Sequence, residues 1–159
     1  MNELEKAPDF EAIDDKGKRF RLSEALGKYI VLYFYPRAMT AGCTREAIRF
    51  NELYDEFKGI NAEVLGISTD KVEKIRKFSE KYGLRFRLLS DPEAKVAEAY
   101  KVKKQGKNSA ERVTYIISPN GTIISVLKNV RPAEAHADLS LEFLKRINKK
   151  GSKQGSATP

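Results

Sequence analysis

Cys43 is the only cysteine in this chain of 159 residues, and it lies in the segment RAMTAGCTREA. A buried thiol packs as a small inert group, whereas a thiolate is a nucleophile that reacts with oxidants and electrophiles. One cysteine cannot form a disulfide within the chain, so the cysteine content gives no indication of an oxidising compartment. The residues around Cys43 decide which kind of thiol it provides.

The residues before Cys43 predict that it lies at the start of a helix. Thr40 is a good N-cap, which makes Cys43 the third helical residue and lets the Thr40 hydroxyl bond the Cys43 N–H. Free N–H groups and the positive end of the helix dipole favour the thiolate there. Gly42 allows a small substrate to approach the backbone, and Pro36 shapes one wall of a pocket. These features alone support a reactive and an inert cysteine about equally.

The predicted helix carries an apolar stripe that runs back to the cysteine. Its members, at spacings of 4, 3, 4 and 3, are Cys43, Ala47, Phe50, Tyr54 and Phe57. This periodicity predicts a helix through Phe57 with that face in the core. Cys43 then lies where the stripe meets the exposed helix start, a position that admits a small reagent and excludes a bulky one.

Apolar runs alternate with helical patterns along the rest of the chain. Strands are predicted for KYIVLYFYP, AEVLGIST and RLLSD, and hairpins for FEAIDDKGKRFRLSE and RVTYIISPNGTIISVLKNV. Helices are predicted for DKVEKIRKFSEKYG, between Asp70 as N-cap and Gly83, for PEAKVAEAY, with Pro92 in its first turn, and for AEAHADLSLEFLKRI.

This order of elements predicts one α/β domain over residues 1–149, with a central mixed sheet flanked by helices and an N-terminal β-hairpin. The remaining residues, 150–159, are rich in Gly and Ser, and we expect a disordered tail. In such sheets, sites form where strands end and loops lead into helices. Cys43 follows the end of KYIVLYFYP, so the sequence predicts a site at this edge of the sheet.

Charge and hydropathy limit the classes of partner. The net charge is +8, but the basic residues are scattered among acids except in KVKKQGK (residues 101–107) and KRINKKGSK. Interspersed charge favours a solvated surface over nucleic-acid binding. No apolar run is long enough to span a membrane, and the N-terminus lacks the apolar segment of a signal peptide. We therefore expect a cytoplasmic protein without nucleic-acid or membrane partners.

The segment FYPRAMTAGCTREAIRF resembles the active-site segment of peroxiredoxins, in particular the bacterioferritin-comigratory or Q subfamily. Pro36, Thr40 and Cys43 match the family's proline, threonine and peroxidatic cysteine, and Glu46 matches an acidic position of the subfamily. LLSDPEAKVAEAYKV, ERVTYIISPNGTI and RPAEAHA follow in the family's order. The resemblance implies a thioredoxin-like fold and a thiol peroxidase that reduces hydrogen peroxide and organic hydroperoxides.

The same resemblance implies roles for residues outside the segment. Arg112 corresponds to the arginine that supports the cysteine, where it would hold the thiolate and polarise the peroxide. Glu46 is expected to orient an arginine or to favour the helix start through its charge. His136, the only histidine, is interpreted as structural, because one imidazole and one distant thiol make a poor metal site. No metal or cofactor is expected.

Two positions depart from the family pattern. Ala41 stands where proline is frequent, which loosens the loop slightly. Ile48 occupies the position, five residues after Cys43, where many relatives carry a second cysteine. The chain therefore resembles a one-cysteine type, recycled by an external thiol that is small or carried by a thioredoxin or glutaredoxin-like protein. We expect a monomer or weak homodimer.

Two functions of other classes compete with this interpretation. One is a thioredoxin-like binding module or holdase without peroxidase turnover, and the other is a basic nucleic-acid-binding protein. The intact set of Pro36, Thr40 and Cys43 favours the enzyme, because a binding role does not need it. Salt-sensitive affinity for DNA or RNA would identify the last alternative. Thioredoxin-type disulfide exchange is disfavoured because the chain has no C-x-x-C pair.

Overall fold

The computed structural model describes the backbone of residues 1–157 and the side chains of residues 1–148. Within these residues, seven strands form one sheet in the order β2-β1-β5-β4-β3-β6-β7. The strands are β1 (Glu11–Asp14), β2 (Arg19–Arg21), β3 (Tyr29–Phe34), β4 (Ala62–Ser68), β5 (Arg87–Ser90), β6 (Val113–Ile117) and β7 (Ile123–Lys128). The helices are α1 (Leu22–Ala25), α2 (Ala41–Glu52), α3 (Tyr54–Gly59), α4 (Val72–Tyr82), α5 (Lys95–Ala99) and α6 (Ala135–Ala157).

The sheet is mixed, as predicted, and β3 lies inside it. β3 runs parallel to β4 and antiparallel to β6. Its side chains alternate between the two faces: Leu32 and Phe34 belong to one core cluster, whereas Val31 and Tyr33 belong to the other. A strand that is buried on both faces carries a continuous apolar run, which is why this segment is recognisable in the sequence.

Helices cover both faces of the sheet and fix the direction in which α2 leaves it. α2, α3, α4 and α6 supply apolar residues to the cluster that contains Val31 and Tyr33, and α5 supplies residues to the other cluster. The predicted stripe of α2 is buried in the first of these clusters through Ala47 and Phe50, with Phe57 of α3 beside them. The first turn of α2 is therefore held at the end of β3 by the packing of the turns that follow.

Both predicted hairpins are present, as β1–β2 and β6–β7. The predicted end of α4 at Gly83 is also confirmed, since this glycine has a φ of 60° in the left-handed region that commonly ends helices. The disordered tail predicted for residues 150–159 stays a prediction. It concerns residues whose side chains lie outside the described part of the chain, although α6 is assigned through Ala157.

Three local predictions were wrong. The helix predicted through Phe57 divides at Leu53, which has a non-helical ψ of 5° and separates α2 from α3. α4 begins at Val72 with Lys71 in the N-cap position, so Asp70 does not cap it. Pro92 lies ahead of α5 rather than in its first turn, because Ala94 adopts a left-handed φ of 57° between them.

No helix in the part of the chain that the structure describes is long and apolar enough to cross a membrane.

Candidate active site

Cys43 lies in the first turn of α2, directly beyond the carboxyl end of β3. α2 begins at Ala41, and Thr40 occupies the N-cap position with an extended backbone, as the sequence predicts. The residue is 1% exposed, because its side chain joins the core cluster that the rest of the α2 stripe enters. A sulfur in this position is shielded from bulk solvent but stays close to the helix N-terminus.

The predicted hydrogen bond from the Cys43 N–H to the Thr40 hydroxyl is wrong. The Thr40 hydroxyl instead donates to the carbonyl oxygen of Arg37 at 2.7 Å, and no side chain of the described residues caps α2. The Thr40 hydroxyl is thereby engaged within the turn that precedes α2. The first-turn N–H groups of α2 are consequently left without a side-chain acceptor.

The loop between β3 and α2 is fastened from two sides. The carboxylate of Asp70 accepts hydrogen bonds from the Ala38 N–H at 2.7 Å and from the Ser68 hydroxyl at 2.8 Å. On the other side, the Ser109 hydroxyl donates to the carbonyl of Pro36 at 3.1 Å. Pro36 is half-buried and lines a surface pocket together with Arg112, and its predicted place in the wall of a pocket at Cys43 stays a prediction. Asp70 therefore anchors the loop that carries Cys43.

Arg112 reaches the sulfur from the start of β6. Its Nη2 lies 3.5 Å from the Cys43 Sγ, and its Nη1 donates to Oε1 of Glu46 at 2.5 Å. One planar guanidinium thus bridges two side chains on the same helix through two separate nitrogens held in a fixed geometry, which a lysine does not provide. The structure places together the three residues Cys43, Glu46 and Arg112 that the sequence analysis singled out.

Glu46 is fully buried, and its second carboxylate oxygen, Oε2, has no hydrogen-bond partner among the described residues. Removal from water raises the pKa of Glu46 to about 8, although the positive charge of Arg112 opposes the shift. The protonated form of this carboxyl group is therefore substantially populated near neutral pH. A protonated Glu46 leaves the positive charge of Arg112 available to the sulfur.

His136 lies behind this pair, a proximity that the sequence analysis missed. It is fully buried at the start of α6, where Nδ1 is 2.8 Å from the Thr114 hydroxyl and 4.0 Å from Oε2 of Glu46. Burial and the charge of Arg112 lower the pKa of His136 to about 4, so it is neutral at physiological pH. A neutral, hydrogen-bonded core histidine fits the predicted structural role.

The first turn of α2 also packs closely against Arg112 through Gly42. A Cβ atom built on Gly42 would lie 3.1 Å from Nη2 of Arg112 and 3.8 Å from the Cβ of Ala133. The absence of a side chain at this position therefore lets the guanidinium approach the cysteine. This close packing is a second reason why glycine is required at position 42, in addition to the access for substrate that the sequence predicts.

The remaining sequence-based expectations concern metals and the second cysteine. Among the residues with described side chains, no group of three or more His, Cys, Asp and Glu residues is arranged to hold a metal ion. Ile48, at the position of the second cysteine in many relatives, is 37% exposed on the outer face of α2. The arrangement around Cys43 is an oxidisable thiol beside one cation and one carboxyl group.

Known proteins with similar sequences and structures identify the family. The model of the AhpC/TSA family matches residues 4–126. Peroxiredoxin Bcp of Bacillus subtilis is 42% identical over 152 residues, which cover 92% of this chain and 96% of that protein. The crystal structure of peroxidoxin BcpB from Mycobacterium tuberculosis superposes with a TM-score of 0.88 at 39% identity, covering 92% of this chain and 98% of the other.

A third similar protein is the bacterioferritin comigratory protein of Xanthomonas campestris, studied for its alkyl peroxide reduction activity. Its structure superposes with a TM-score of 0.84 at 32% identity, covering 92% of this chain and 99% of that chain. These similarities confirm the predicted thioredoxin-like fold. The chain therefore belongs to the AhpC/TSA family, as a thiol peroxidase of the bacterioferritin-comigratory type of peroxiredoxin whose sequence holds a single cysteine.

Proposed function

We propose that Cys43 is the residue that reduces the peroxide, and that hydrogen peroxide and alkyl hydroperoxides are its substrates. The Cys43 thiolate attacks one peroxide oxygen, an S–O bond forms as the O–O bond breaks, and water or an alcohol leaves after protonation. The product on the protein is a sulfenic acid. The observation that carries this proposal is the Arg112 guanidinium, whose Nη2 lies 3.5 Å from the sulfur.

Arg112 has two tasks in this mechanism. Its positive charge stabilises the thiolate before the reaction and the charge that develops on the leaving oxygen during it. Because the guanidinium is held by Glu46 at its other nitrogen, it does not have to reorganise as the charge moves. A preorganised donor in a half-buried site is worth more than the same group in water.

Glu46 acts as a positioning residue for Arg112. It contacts the guanidinium and not the sulfur, and its raised pKa keeps the competing negative charge low near neutral pH. Thr40 is proposed to contact the peroxide: its hydroxyl hydrogen is engaged by the Arg37 carbonyl, so its oxygen is free to accept the peroxide O–H. Pro36 is proposed to form one wall of the space in which the peroxide binds, because it lies in the loop between β3 and α2 that leads to Cys43.

An external thiol is proposed to close the cycle, since the chain contains no second cysteine. It attacks the sulfenic sulfur, and a further thiol then releases Cys43 from the mixed disulfide. The reductant is a small thiol or a thioredoxin or glutaredoxin-like protein, and the enzyme is proposed to act in the cytoplasm as a monomer or weak homodimer. Nucleic acids and membranes are not proposed as partners.

The test combines two variants with a mass measurement. Cys43→Ser is expected to abolish peroxide reduction, and Arg112→Ala to lower its second-order rate constant by roughly 100-fold, the usual effect of one preorganised charge donor. Arg112→Lys serves as the charge-preserving control. Its rate constant is expected to lie between those of Arg112→Ala and the unmodified protein, since lysine keeps the charge but not the two separate donor nitrogens. Activity that survives Cys43→Ser would refute the assignment of the nucleophile.

Oxidation with one equivalent of peroxide supplies the second half of the test. We expect a monomer that gains one oxygen, reacts with a sulfenic-acid trap and returns to the thiol only when outside thiol is added. A quantitative disulfide-linked dimer that a thioredoxin system reduces at the full catalytic rate would contradict recycling at the sulfenic acid and make the second subunit the resolving partner.

A further inference from the structure

A basic pocket adjoins the active site on the side of β6 and β7. It has a volume of about 370 Å³, within the usual range for small-molecule sites. Four cations and one carboxylate are prominent in its lining, together with the active-site proline: Lys104, Arg112, Lys128, Arg131, Glu111 and Pro36. Because positive charge exceeds negative charge around one concave surface, the pocket favours an anionic occupant.

Three of the four cations of the basic pocket are not neutralised by a neighbouring carboxylate. Among the described residues, Lys104, Lys128 and Arg131 have no carboxylate within ion-pair distance, and Arg112 pairs only with the buried Glu46. The basic stretch 101–107, whose purpose the sequence left open, supplies one of these cations. Their charges are directed to a common space and are free to bind an incoming anion.

The lysine from the basic stretch is held next to the active-site loop. The backbone N–H of Lys104 donates to the Ser109 carbonyl at 2.8 Å, and the Ser109 hydroxyl donates to the carbonyl of Pro36 at 3.1 Å. The turn that carries Lys104 is thus fastened directly to the loop that leads to Cys43. The pocket wall and the reacting cysteine form one connected unit.

Only one guanidinium separates the basic pocket from the sulfur. Arg112 lines the pocket, and its Nη2 also lies 3.5 Å from the Cys43 Sγ. Ala133, another lining residue, faces the first turn of α2 across Gly42. A molecule whose anionic end occupies the pocket is therefore bound against the same guanidinium that contacts the sulfur.

We propose that the basic pocket binds the carboxylate of the external reductant, so that this enzyme is recycled by small thiols that carry a carboxylate group. The inference rests on the proposed function, which supplies the sulfenic acid at Cys43. The thiolate of the reductant forms an S–S bond with Cys43 and hydroxide leaves as water after protonation. A second thiolate then attacks the reductant sulfur, and the Cys43 thiolate departs. Two thiols are oxidised to one disulfide and the sulfenic acid is reduced.

The chemistry of the two half-reactions favours the thiol over the peroxide as the occupant. The reductant must react as a thiolate, and nearby positive charge increases the thiolate fraction of a bound thiol. The same cations also steer an anion towards the site and raise the rate of encounter. A peroxide reacts in its neutral form and gains neither advantage at its reacting end.

The experiment measures the reduction step alone. The protein is oxidised with one equivalent of hydrogen peroxide, its gain of one oxygen is verified by mass, and it is mixed with one of three thiols. These are 3-mercaptopropionate, 2-mercaptoethanol and cysteamine, which carry an anionic, a neutral and a cationic group. Rate constants are expressed per thiolate. We expect the anionic thiol to react about tenfold faster than the neutral one at low salt, with the advantage falling as salt is added.

Two matched double variants assign this preference to the pocket. Lys104→Gln with Lys128→Gln is expected to reduce the advantage of the anionic thiol to less than about threefold. Lys16→Gln with Lys18→Gln removes the same charge from the β1–β2 turn at the other end of the sheet, and we expect it to keep the full advantage. An equal loss in both doubles would indicate net charge rather than the pocket, and would overturn the inference.

Two further outcomes separate this inference from the proposed function. If the sulfenic acid forms but the three thiols react at equal rates per thiolate, the pocket has no role in reduction while Cys43 keeps its role. If Lys104→Gln with Lys128→Gln slows oxidation by a carboxylate-bearing hydroperoxide and leaves the thiol preference intact, the pocket serves the peroxide and the inference is wrong. Failure of the sulfenic acid to form at all contradicts the proposed function instead.

Discussion

Replacing Gly42 by alanine tests how closely the guanidinium must approach the sulfur. The added Cβ would lie 3.1 Å from Nη2 of Arg112, the same nitrogen that lies 3.5 Å from the Cys43 Sγ. An ordinary contact requires the guanidinium to move by a few tenths of an ångström. Because Nη1 is held by Glu46, Arg112 cannot avoid the methyl group without disturbing that ion pair as well.

The size of the effect follows from the charge separation. In a medium with an effective dielectric constant of about 20, opposite unit charges attract by about 4.7 kcal/mol at 3.5 Å and about 4.2 kcal/mol at 4.0 Å. A displacement of this size away from the sulfur weakens the attraction by about 0.6 kcal/mol, or about threefold in a rate. Alanine is a better helix former than glycine by up to about 1 kcal/mol, so the stability of the fold is not expected to fall.

The assay is the second-order rate constant for hydrogen peroxide, measured in single turnover and accompanied by thermal unfolding. We expect Gly42→Ala to react three- to tenfold more slowly, as estimated from the Coulomb energy and the disturbed ion pair, with an unchanged or higher Tm. Gly59→Ala is the matched control, because a Cβ there meets nothing within 4 Å. It is expected to react at the rate of the unmodified protein.

A double-mutant cycle decides whether the effect passes through Arg112. In an Arg112→Ala background, the methyl group of Gly42→Ala has no guanidinium to displace, so we expect it to leave the rate of that background unchanged. An equal slowing with and without Arg112 would refute the reasoning and point to obstruction of the peroxide itself. A rate equal to that of the unmodified protein would show that the contact is not limiting.

Two further predictions concern stability and inactivation. Folding raises the pKa of Glu46 from its usual 4.5 to about 8, so the unfolding free energy should fall as pH rises through this range. Folding lowers the pKa of His136 from 6.5 to about 4, and this shift has the opposite effect on the unfolding free energy below pH 6.5. Between pH 6.5 and 8 the net loss is up to about 2 kcal/mol in denaturant titrations, and a Glu46→Gln variant that retains this slope would contradict the assignment. Excess peroxide should inactivate the enzyme by adding a second and third oxygen to Cys43, since no internal thiol intercepts the sulfenic acid. Inactivation without these mass gains would indicate another lesion, for example at the exposed Met39.

The features that the sequence predicted correctly are those with a local cause. The continuous apolar run of β3, the N-cap position of Thr40 and the left-handed Gly83 each depend on neighbouring residues, and local sterics and burial leave few alternatives for them. The sequence could therefore place Cys43 in the first turn of a helix at the end of a buried strand. This placement is also where a cysteine is most easily kept as a thiolate.

The features that the sequence predicted wrongly involve polar groups with more than one available partner. Asp70 precedes a helix, where aspartate is a typical N-cap, but its carboxylate bonds the Ala38 N–H in a distant loop instead. The Thr40 hydroxyl likewise donates to the Arg37 carbonyl and does not accept a hydrogen bond from the Cys43 N–H. Local sequence cannot rank these partners, because the choice depends on how the loop between β3 and α2 is folded by the rest of the molecule.

The contact between Arg112 and Cys43 depends on the register in which β3 and β6 pair, which the sequence does not reveal. The two residues are 69 positions apart, and only the resemblance to a family linked them before the fold was known. β3 and β6 are antiparallel neighbours, and Phe34, the last residue of β3, pairs with Val113, the first residue of β6. The residue before β6 must therefore emerge beside the loop that follows β3. This register places Arg112 at the same edge of the sheet as Cys43. The basic pocket, which Arg112 and Pro36 both line, lies beside the same loop.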